Sequence, residues 1–440
     1  MIVSPAFAGK RYAVLGLARS GLASVDTLLA SGAEVTAWDG REDARAAVEG
    51  RATIADPLAI DLTGFDGMVV SPGVPLNRHP IAAHARSFGV PIIGDIELFA
   101  QARASLPPHK VVAITGTNGK STTTSLVHHI VKEAGMPTVM GGNIGLPILG
   151  QPPLPEGGVY VLELSSYQID LTYSLHADLA AFINLSPDHL DRYDGYEGYG
   201  ASKARLFQMQ QAGQFAVFGC GDDDTRRIAA EIAAHRPEGD IEVVDPSALT
   251  GQAEWPSLQG PHNLQNAAIA VAIAKRLGIG EPVWRAALGS FVGLPHRMER
   301  VAEANGILFI NDSKATNPAS TAPALGAWPR VHWILGGLPK GDDLDACAPY
   351  FSHVVQAYTI GEAGPRFADI LEPVMPVQRS EMLCDAVRQA MDAAEPGDVI
   401  MLSPACASFD QFRDFEARGD SFRQIVTALI AEQGAGSSQA

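Results

Sequence analysis

Between an apolar run, Val111–Ile114, and a helix-period stretch starting near Lys120, the chain reads Thr115-Gly-Thr-Asn-Gly-Lys-Ser-Thr122. Few local strings restrict a fold as strongly. Glycines let the backbone wrap phosphate groups, and a helix that begins directly afterwards aims N–H groups and a partial positive charge at them. Gly116, Thr117, Asn118 and Gly119 supply the cradle, and Lys120 can reach the terminal phosphates. The Ser121 hydroxyl, followed by Thr122, suits Mg²⁺. The string is a shortened phosphate loop, because Ile114 stands where the GxxxxGK[ST] form has its first glycine. It requires a buried strand that ends at the ligand edge of a parallel sheet.

The remainder of the chain agrees with that requirement. Apolar runs of about four to eight residues alternate with helix-period stretches, the pattern of parallel α/β sheets. Strands are predicted at 11–16, 34–38, 67–70 and 90–93, then at 111–114, 159–163 and 180–185. A third set is predicted at 307–310, 331–335, 355–360 and 399–402. At roughly 150 residues per domain, 440 residues imply three domains. The predicted boundaries are 1–101, a Pro-containing linker 102–109, a central domain 110–298 and a C-terminal domain 299–440. The Gly/Ser-rich tail 433–440 is predicted to lack structure.

The formal charge of −17 argues against nucleic acid or an anionic membrane as partner, since both select basic surface. It does not exclude a phosphorylated small molecule, which a few local cations and N–H groups can hold. No apolar run approaches the roughly 20 residues of a membrane span, and Arg19 and Asp26 interrupt the apolar face near the start. Cys220, Cys347, Cys384 and Cys406 form no CxxC pair, so the expectation is a cytoplasmic protein with reduced thiols and no structural zinc.

Two further features carry chemistry. Glu163 and His189 fall at or just past the ends of predicted strands, on the edge from which the phosphate loop leaves. A carboxylate and an imidazole there are candidate Mg²⁺ ligands. Near the start, Gly16-Leu-Ala-Arg-Ser-Gly21 follows a strand and Asp39 ends the next one. This is a weak dinucleotide fingerprint with Ala18 in place of the middle glycine. By itself it fits a nicotinamide-dependent dehydrogenase or a plain tight turn.

Several strings together resemble the Mur ligases, ATP-dependent amide-forming enzymes of peptidoglycan synthesis. They are the phosphate loop, Gly141-Gly-Asn-Ile-Gly145, Glu163-Leu-Ser-Ser-Tyr-Gln168, Asp188-His-Leu-Asp-Arg-Tyr193, His262-Asn-Leu-Gln-Asn266 and Leu294-Pro-His-Arg297. Asn311-Asp-Ser-Lys-Ala-Thr-Asn317 and Leu402-Ser-Pro-Ala-Cys-Ala-Ser-Phe-Asp-Gln-Phe412 resemble the branch of that family that adds D-glutamate. The resemblance implies an α/β protein of three domains: a Rossmann-like N-terminal domain, a central P-loop ATPase-type parallel-sheet domain and a Rossmann-like C-terminal domain. It implies a monomer that uses ATP and Mg²⁺, with UDP-N-acetylmuramoyl-L-alanine and D-glutamate as substrates. A folylpolyglutamate synthetase, from the same superfamily, lacks the UDP-binding first domain.

By resemblance, Arg19, Ser20, Asp39, Gly40, Arg41 and Gly73 line the UDP site, and Asn143 contacts the same substrate. Asn266, Arg297 and Asp312 match positions that contact the adenine nucleotide, Arg297 only after domain closure. Lys314, Thr316, Lys340, Ser408 and Phe415 match positions that hold D-glutamate. Around Lys340 the string is Gly336-Gly-Leu-Pro-Lys340, where the family pattern is Gly-Gly-Asp-Gly-Lys. Lys120, His189, Lys203 and Arg297 are the implied catalytic set, and Ser121, Glu163, His189 and Lys203 the implied metal set. Lys203 enters the metal set as a lysine converted by CO₂ to a carbamate; on the residues alone it also reads as a surface helix lysine.

Overall fold

The computed structural model describes residues 1–437 apart from 189, 238 and 342. His189, a predicted metal ligand and catalytic residue, therefore lies outside the described residues. The chain forms two compact units, Met1–Pro246 with Ala268–Ala287, and Ser247–Ala267 with Leu288–Ala440.

The first unit holds two sheets. In one, β1 (Arg11–Leu15), β2 (Glu34–Trp38), β3 (Thr53–Ile54), β4 (Gly67–Val70) and β5 (Ile92–Ile93) are ordered β3-β2-β1-β4-β5. All of its pairings are parallel. In the other, β6 (His109–Thr115), β7 (Thr138–Gly142), β8 (Gly158–Glu163), β9 (Leu179–Phe182), β10 (Phe215–Phe218) and β11 (Ile241–Val243) are ordered β11-β10-β9-β6-β8-β7. This sheet is also parallel throughout. Every residue of β8, β9 and β10 is buried, which explains why these strands read as unbroken apolar runs. One apolar cluster includes Val14 and Phe99 with Tyr160, Phe182 and Phe207, so the two sheets share a continuous core.

The second unit holds β12 (Glu299–Ala304), β13 (Ile307–Asn311), β14 (Val331–Gly336), β15 (Val354–Ile360), β16 (Val377–Glu381) and β17 (Val399–Leu402), ordered β12-β13-β17-β14-β15-β16. β12 pairs antiparallel with β13, while the other pairings are parallel. Among the described residues no helix is long and apolar enough to cross a membrane.

Three predicted extents need correction. The strand predicted at 90–93 shrinks to Ile92–Ile93, because the Val90 N–H closes the preceding helix on Ala85 O and Pro91 has no N–H to give. The strand predicted at 180–185 ends at Phe182; beyond it Ile183 N bonds Thr115 O, and Asn184 O accepts from Thr117 N. Those groups serve the phosphate loop instead of the ladder. The last helix, Phe415–Ser437, runs further than the Gly/Ser-rich tail predicts.

The segment predicted as a linker contains a short 3₁₀ turn, Arg103–Ser105. Arg103 there donates to His176 O at 2.9 Å and to Asp178 Oδ2 at 3.0 Å. Residues 247–267 group with the C-terminal sheet, not with the central one.

Candidate active site

Both sheets of the first unit present candidate site residues at the C-terminal ends of their strands, where ligands bind open α/β sheets. β6 delivers the phosphate loop. Gly116 has φ 151°, and a Cβ there would lie 3.0 Å from Ile183 Cβ, so only glycine fits the turn. Asn184, which the sequence reading missed, shapes the loop: its side-chain Oδ1 accepts from Asn118 N at 2.8 Å. Thr117 Oγ1 donates to Ser186 O at 3.2 Å. The helix Lys120–Glu133 starts from Gly119, at φ 81°, with no capping side chain, leaving its N-terminus shaped for an anion. Lys120 is half-buried and folds back on its own loop, donating to Gly116 O at 3.0 Å and Thr117 O at 2.7 Å. Ser121 is buried just behind it.

Glu163 ends β8 directly beside Ile114 of β6. It is 2% exposed. Its Oε1 accepts from Asn143 Nδ2 at 2.8 Å, while Oε2 is buried with no hydrogen-bond partner. Gly142 lets the Asn143 segment lie close, since a Cβ there would meet Glu163 O at 2.2 Å. An unsatisfied buried carboxylate oxygen is costly, and a cation removes that cost. The residues present thus fit Mg²⁺: Glu163 with the Ser121 hydroxyl beside a phosphate loop. Among the described residues no group of three His, Cys, Asp or Glu side chains could hold a metal.

Lys203 is 1% exposed, which overturns the reading of it as a surface lysine. Its Nζ donates to Gly116 O at 2.9 Å and sits 4.5 Å from the Tyr199 ring centre. Burial, and then the nearby Lys120 charge, hold its ammonium well below the usual lysine pKa. Tyr199 was also missed by the sequence reading; its hydroxyl lies 3.4 Å from Thr117 Oγ1.

In the N-terminal sheet, Gly16 takes φ 91° and Gly21 packs against its carbonyl, where a Cβ would come within 1.9 Å. Arg19 and Ser20 open the helix Arg19–Ala30. The Asp39 carboxylate holds the turn: Oδ2 accepts from Leu17 N at 2.8 Å and Oδ1 from Arg41 N at 2.9 Å. Burial opposes its charge, yet these N–H groups and the Arg41 guanidinium keep its pKa below the usual value. Gly40 and Arg41, which follow it, are exposed, as is Gly73.

The second unit collects the remaining predicted residues. Lys314 Nζ lies 4.0 Å from the Phe415 ring centre, and Lys340 Nζ is 3.4 Å from Thr316 Oγ1. The strand-like segment carrying Lys340 pairs with the one carrying Ser408 through Leu338 N to Ala407 O at 2.9 Å and Ala407 N to Leu338 O at 3.0 Å. Beneath them lies Arg418, which the sequence reading did not single out. It is 1% exposed and donates to Ser313 Oγ (3.0 Å), Ser313 O (2.9 Å), Cys406 O (3.0 Å), Ala407 O (3.2 Å) and Gly336 O (3.4 Å). Burial pulls its pKa down to about 10. Asn266, on the helix Pro261–Arg276, bonds Asn263 Oδ1 at 3.1 Å. Asp312 accepts from Met298 N at 3.1 Å and from Ser403 Oγ at 2.8 Å. Arg297, next to Met298, is close enough for its charge to act on that carboxyl.

A phosphate loop, a buried carboxylate oxygen without a partner and a second α/β unit that carries Lys314 and Lys340 define a nucleotide-dependent ligase scaffold. A family model for the Mur ligase middle domain matches residues 114–238, and one for the Mur ligase, glutamate ligase domain matches 296–406. The UDP-N-acetylmuramoylalanine–D-glutamate ligase of Novosphingobium aromaticivorans is 80% identical, covering 99% of this chain and 98% of its own. The protein of the same name from Sphingopyxis alaskensis is 60% identical over 98% of this chain and 100% of its own. Among solved structures, UDP-N-acetylmuramate–alanine ligase of Thermotoga maritima shares the fold at TM-score 0.54 and 16% identity, covering 95% of this chain and 99% of that one. The chain belongs to the Mur ligases, in the family of UDP-N-acetylmuramoylalanine–D-glutamate ligases.

Burial raises the Asp312 carboxyl from 3.8 to about 7. Between those values the folded chain keeps a proton that the unfolded chain has released, so this group makes stability fall as pH rises through that window. Asp312→Asn removes the titration. Urea unfolding of both proteins should show the variant gaining on the wild type between about pH 4 and about pH 7. A stability difference that does not change with pH contradicts the assignment.

Proposed function

We propose that this chain joins D-glutamate to UDP-N-acetylmuramoyl-L-alanine, converting ATP to ADP and phosphate. The carrying observation is the buried, unpartnered Glu163 oxygen on the strand next to the phosphate loop, supported by full-length relatives of that name. A carboxylate is a poor acylating agent. Its oxygen must first bond to the γ-phosphorus, with ADP leaving, to give an acyl phosphate. The amine of D-glutamate then attacks the carbonyl carbon, loses a proton, and phosphate departs.

The residues have distinct tasks in this scheme. The loop from Gly116 to Thr122 binds phosphates, and Lys120 and Arg297 offset charge that builds during transfer. Asn266 and Asp312 bind the nucleotide. Ser121, Glu163, His189 and a carbamylated Lys203 would hold Mg²⁺, which would supply Lewis-acid charge neutralisation. Burial and the Lys120 charge lower the Lys203 pKa, which favours the amine form that reacts with CO₂. The Gly16 turn with Arg19, Ser20, Arg41 and Gly73 holds the UDP diphosphate, Asp39 shapes that turn, and Asn143 contacts the substrate. Lys314, Thr316, Lys340, Ser408 and Phe415 hold D-glutamate, whose two carboxylates need cations and hydroxyl donors. A cytoplasmic monomer acting on small molecules is the matching context.

Phosphate release from ATP should require both substrates together. Release with either alone, or with neither, contradicts the reading. Lys120→Ala should lower that rate on the order of 10² to 10³ or more with unchanged circular dichroism; near-normal turnover rules out the phosphate-loop role.

Lys203→Ala should lose most activity, and acetate should restore part of it by occupying the carbamate position. Wild-type turnover by Lys203→Ala in CO₂-depleted buffer excludes the carbamate.

A further inference from the structure

The loop that follows β4 is attached at both ends. At its start, Ser71 Oγ donates to Gly16 O at 3.0 Å, in the turn assigned above to the substrate diphosphate. Further along, Asn77 Nδ2 donates to Asp191 O at 3.0 Å, and Arg78 Nη2 donates to the same carbonyl at 3.3 Å. In return, Arg192 Nη2 donates to Val74 O at 3.0 Å. Asp191 and Arg192 lie just past Asp188, on the segment that leads to Lys203. Three side chains therefore lace a loop of the N-terminal sheet to a loop of the central sheet, each through a backbone carbonyl.

The lacing continues inward. The Arg192 guanidinium lies 4.1 Å from the Tyr167 ring centre. Tyr167 stacks on Tyr193 at 6.1 Å, and Tyr193 packs on Tyr199 at 5.5 Å. Tyr193 is held by its hydroxyl, which donates to Asp170 Oδ2 at 3.0 Å. Tyr199 carries Lys203 Nζ on its face and its hydroxyl approaches Thr117 of the phosphate loop. A continuous set of contacts thus joins the Gly16 turn to Lys203 and the nucleotide loop. Asn77, Arg78 and Asp191 are exposed, so the lacing is not part of the hydrophobic core.

We propose that Arg192 is a positioning residue that couples filling of the N-terminal diphosphate site to nucleotide and Mg²⁺ binding around Lys203. The proposal rests on the site assignments of the proposed function. The planar guanidinium does two jobs at once, donating to Val74 O while its face covers Tyr167. A shift of the β4 loop toward a bound diphosphate moves Val74 and, through Arg192, the aromatic stack beneath Lys203. Contiguity alone does not establish coupling; a reciprocal change in two affinities does.

The test is calorimetric titration of UDP-N-acetylmuramoyl-L-alanine, alone and with saturating Mg²⁺ and a non-hydrolysable ATP analogue, repeated with the ligands exchanged. In the wild type each ligand should change the other's dissociation constant by the same factor, about 5- to 150-fold. In Arg192→Ala and in Asn77→Ala each ligand should keep its separate affinity while the factor falls toward one. Arg192→Lys should lie between, because a lysine can donate to Val74 O but cannot lie flat on Tyr167. A wild-type factor of one overturns the proposal. So does an unchanged factor in Arg192→Ala, even with weaker separate affinities, because the contact is then merely structural. A wild type that binds neither ligand alone contradicts the proposed function itself.

Discussion

A polar oxygen buried in a protein interior needs a partner, and the Glu163 oxygen that no donor reaches is the constraint around which the phosphate-loop edge of the first unit is arranged. Leaving such a group unsatisfied costs about 1–3 kcal/mol or more. The neighbouring backbone is fitted to it closely. Gly142 admits the chain against its carbonyl, and Asn143 fixes its other oxygen. The parallel register sets it beside Ile114, where the strand turns into the phosphate loop. Burial there raises the strength of any cation contact, because the local dielectric is low. The same low dielectric disfavours the Lys203 ammonium, which lies behind the loop against Gly116 O. One buried edge thus favours a metal ion and an uncharged lysine together.

The second unit solves a different problem with one residue. Three segments converge near Ser313, Gly336 and Ala407, and converging segments bring carbonyl groups together without donors. Arg418 supplies five hydrogen bonds to them from within a helix. Gly419 beside it lets that helix approach His296, since a Cβ there would fall 2.1 Å from His296 Nδ1. His296, beside Arg297, and the segments around Ser313, Gly336 and Ala407 therefore meet the same two-residue stretch. Pro339, where the family pattern has glycine, stiffens the Lys340 segment that is already paired to Ala407.

How much of this was legible in the sequence follows from where each interaction is made. The phosphate loop was readable because its parts are contiguous and its glycines have a local steric reason. The strands were readable as apolar runs because parallel strands are buried on both faces. Their ends were not, since Pro91 and Asn184 stop the ladder for reasons that depend on neighbouring segments. Arg418 looked like one more polar residue of a long helix; only its contacts with distant loops bury it. The adjacent glycine inside a helix was the one available signal. Lys203 was found by its place after the Asp188–Tyr193 string, but its burial under Tyr199 is a property of the packed helix. That Asp39 also holds the Gly16 turn was not legible, because backbone N–H donors are invisible in a string of side chains.

The account's central claim is that a substrate carboxylate is activated by bonding directly to phosphorus at this edge. The most direct measurement places heavy oxygen in the carboxylate of UDP-N-acetylmuramoyl-L-alanine and analyses the phosphate released during turnover with D-glutamate. The account predicts that each phosphate formed carries one labelled oxygen, transferred when the acyl phosphate breaks. Released phosphate free of label, with product amide formed at the same rate, would contradict it.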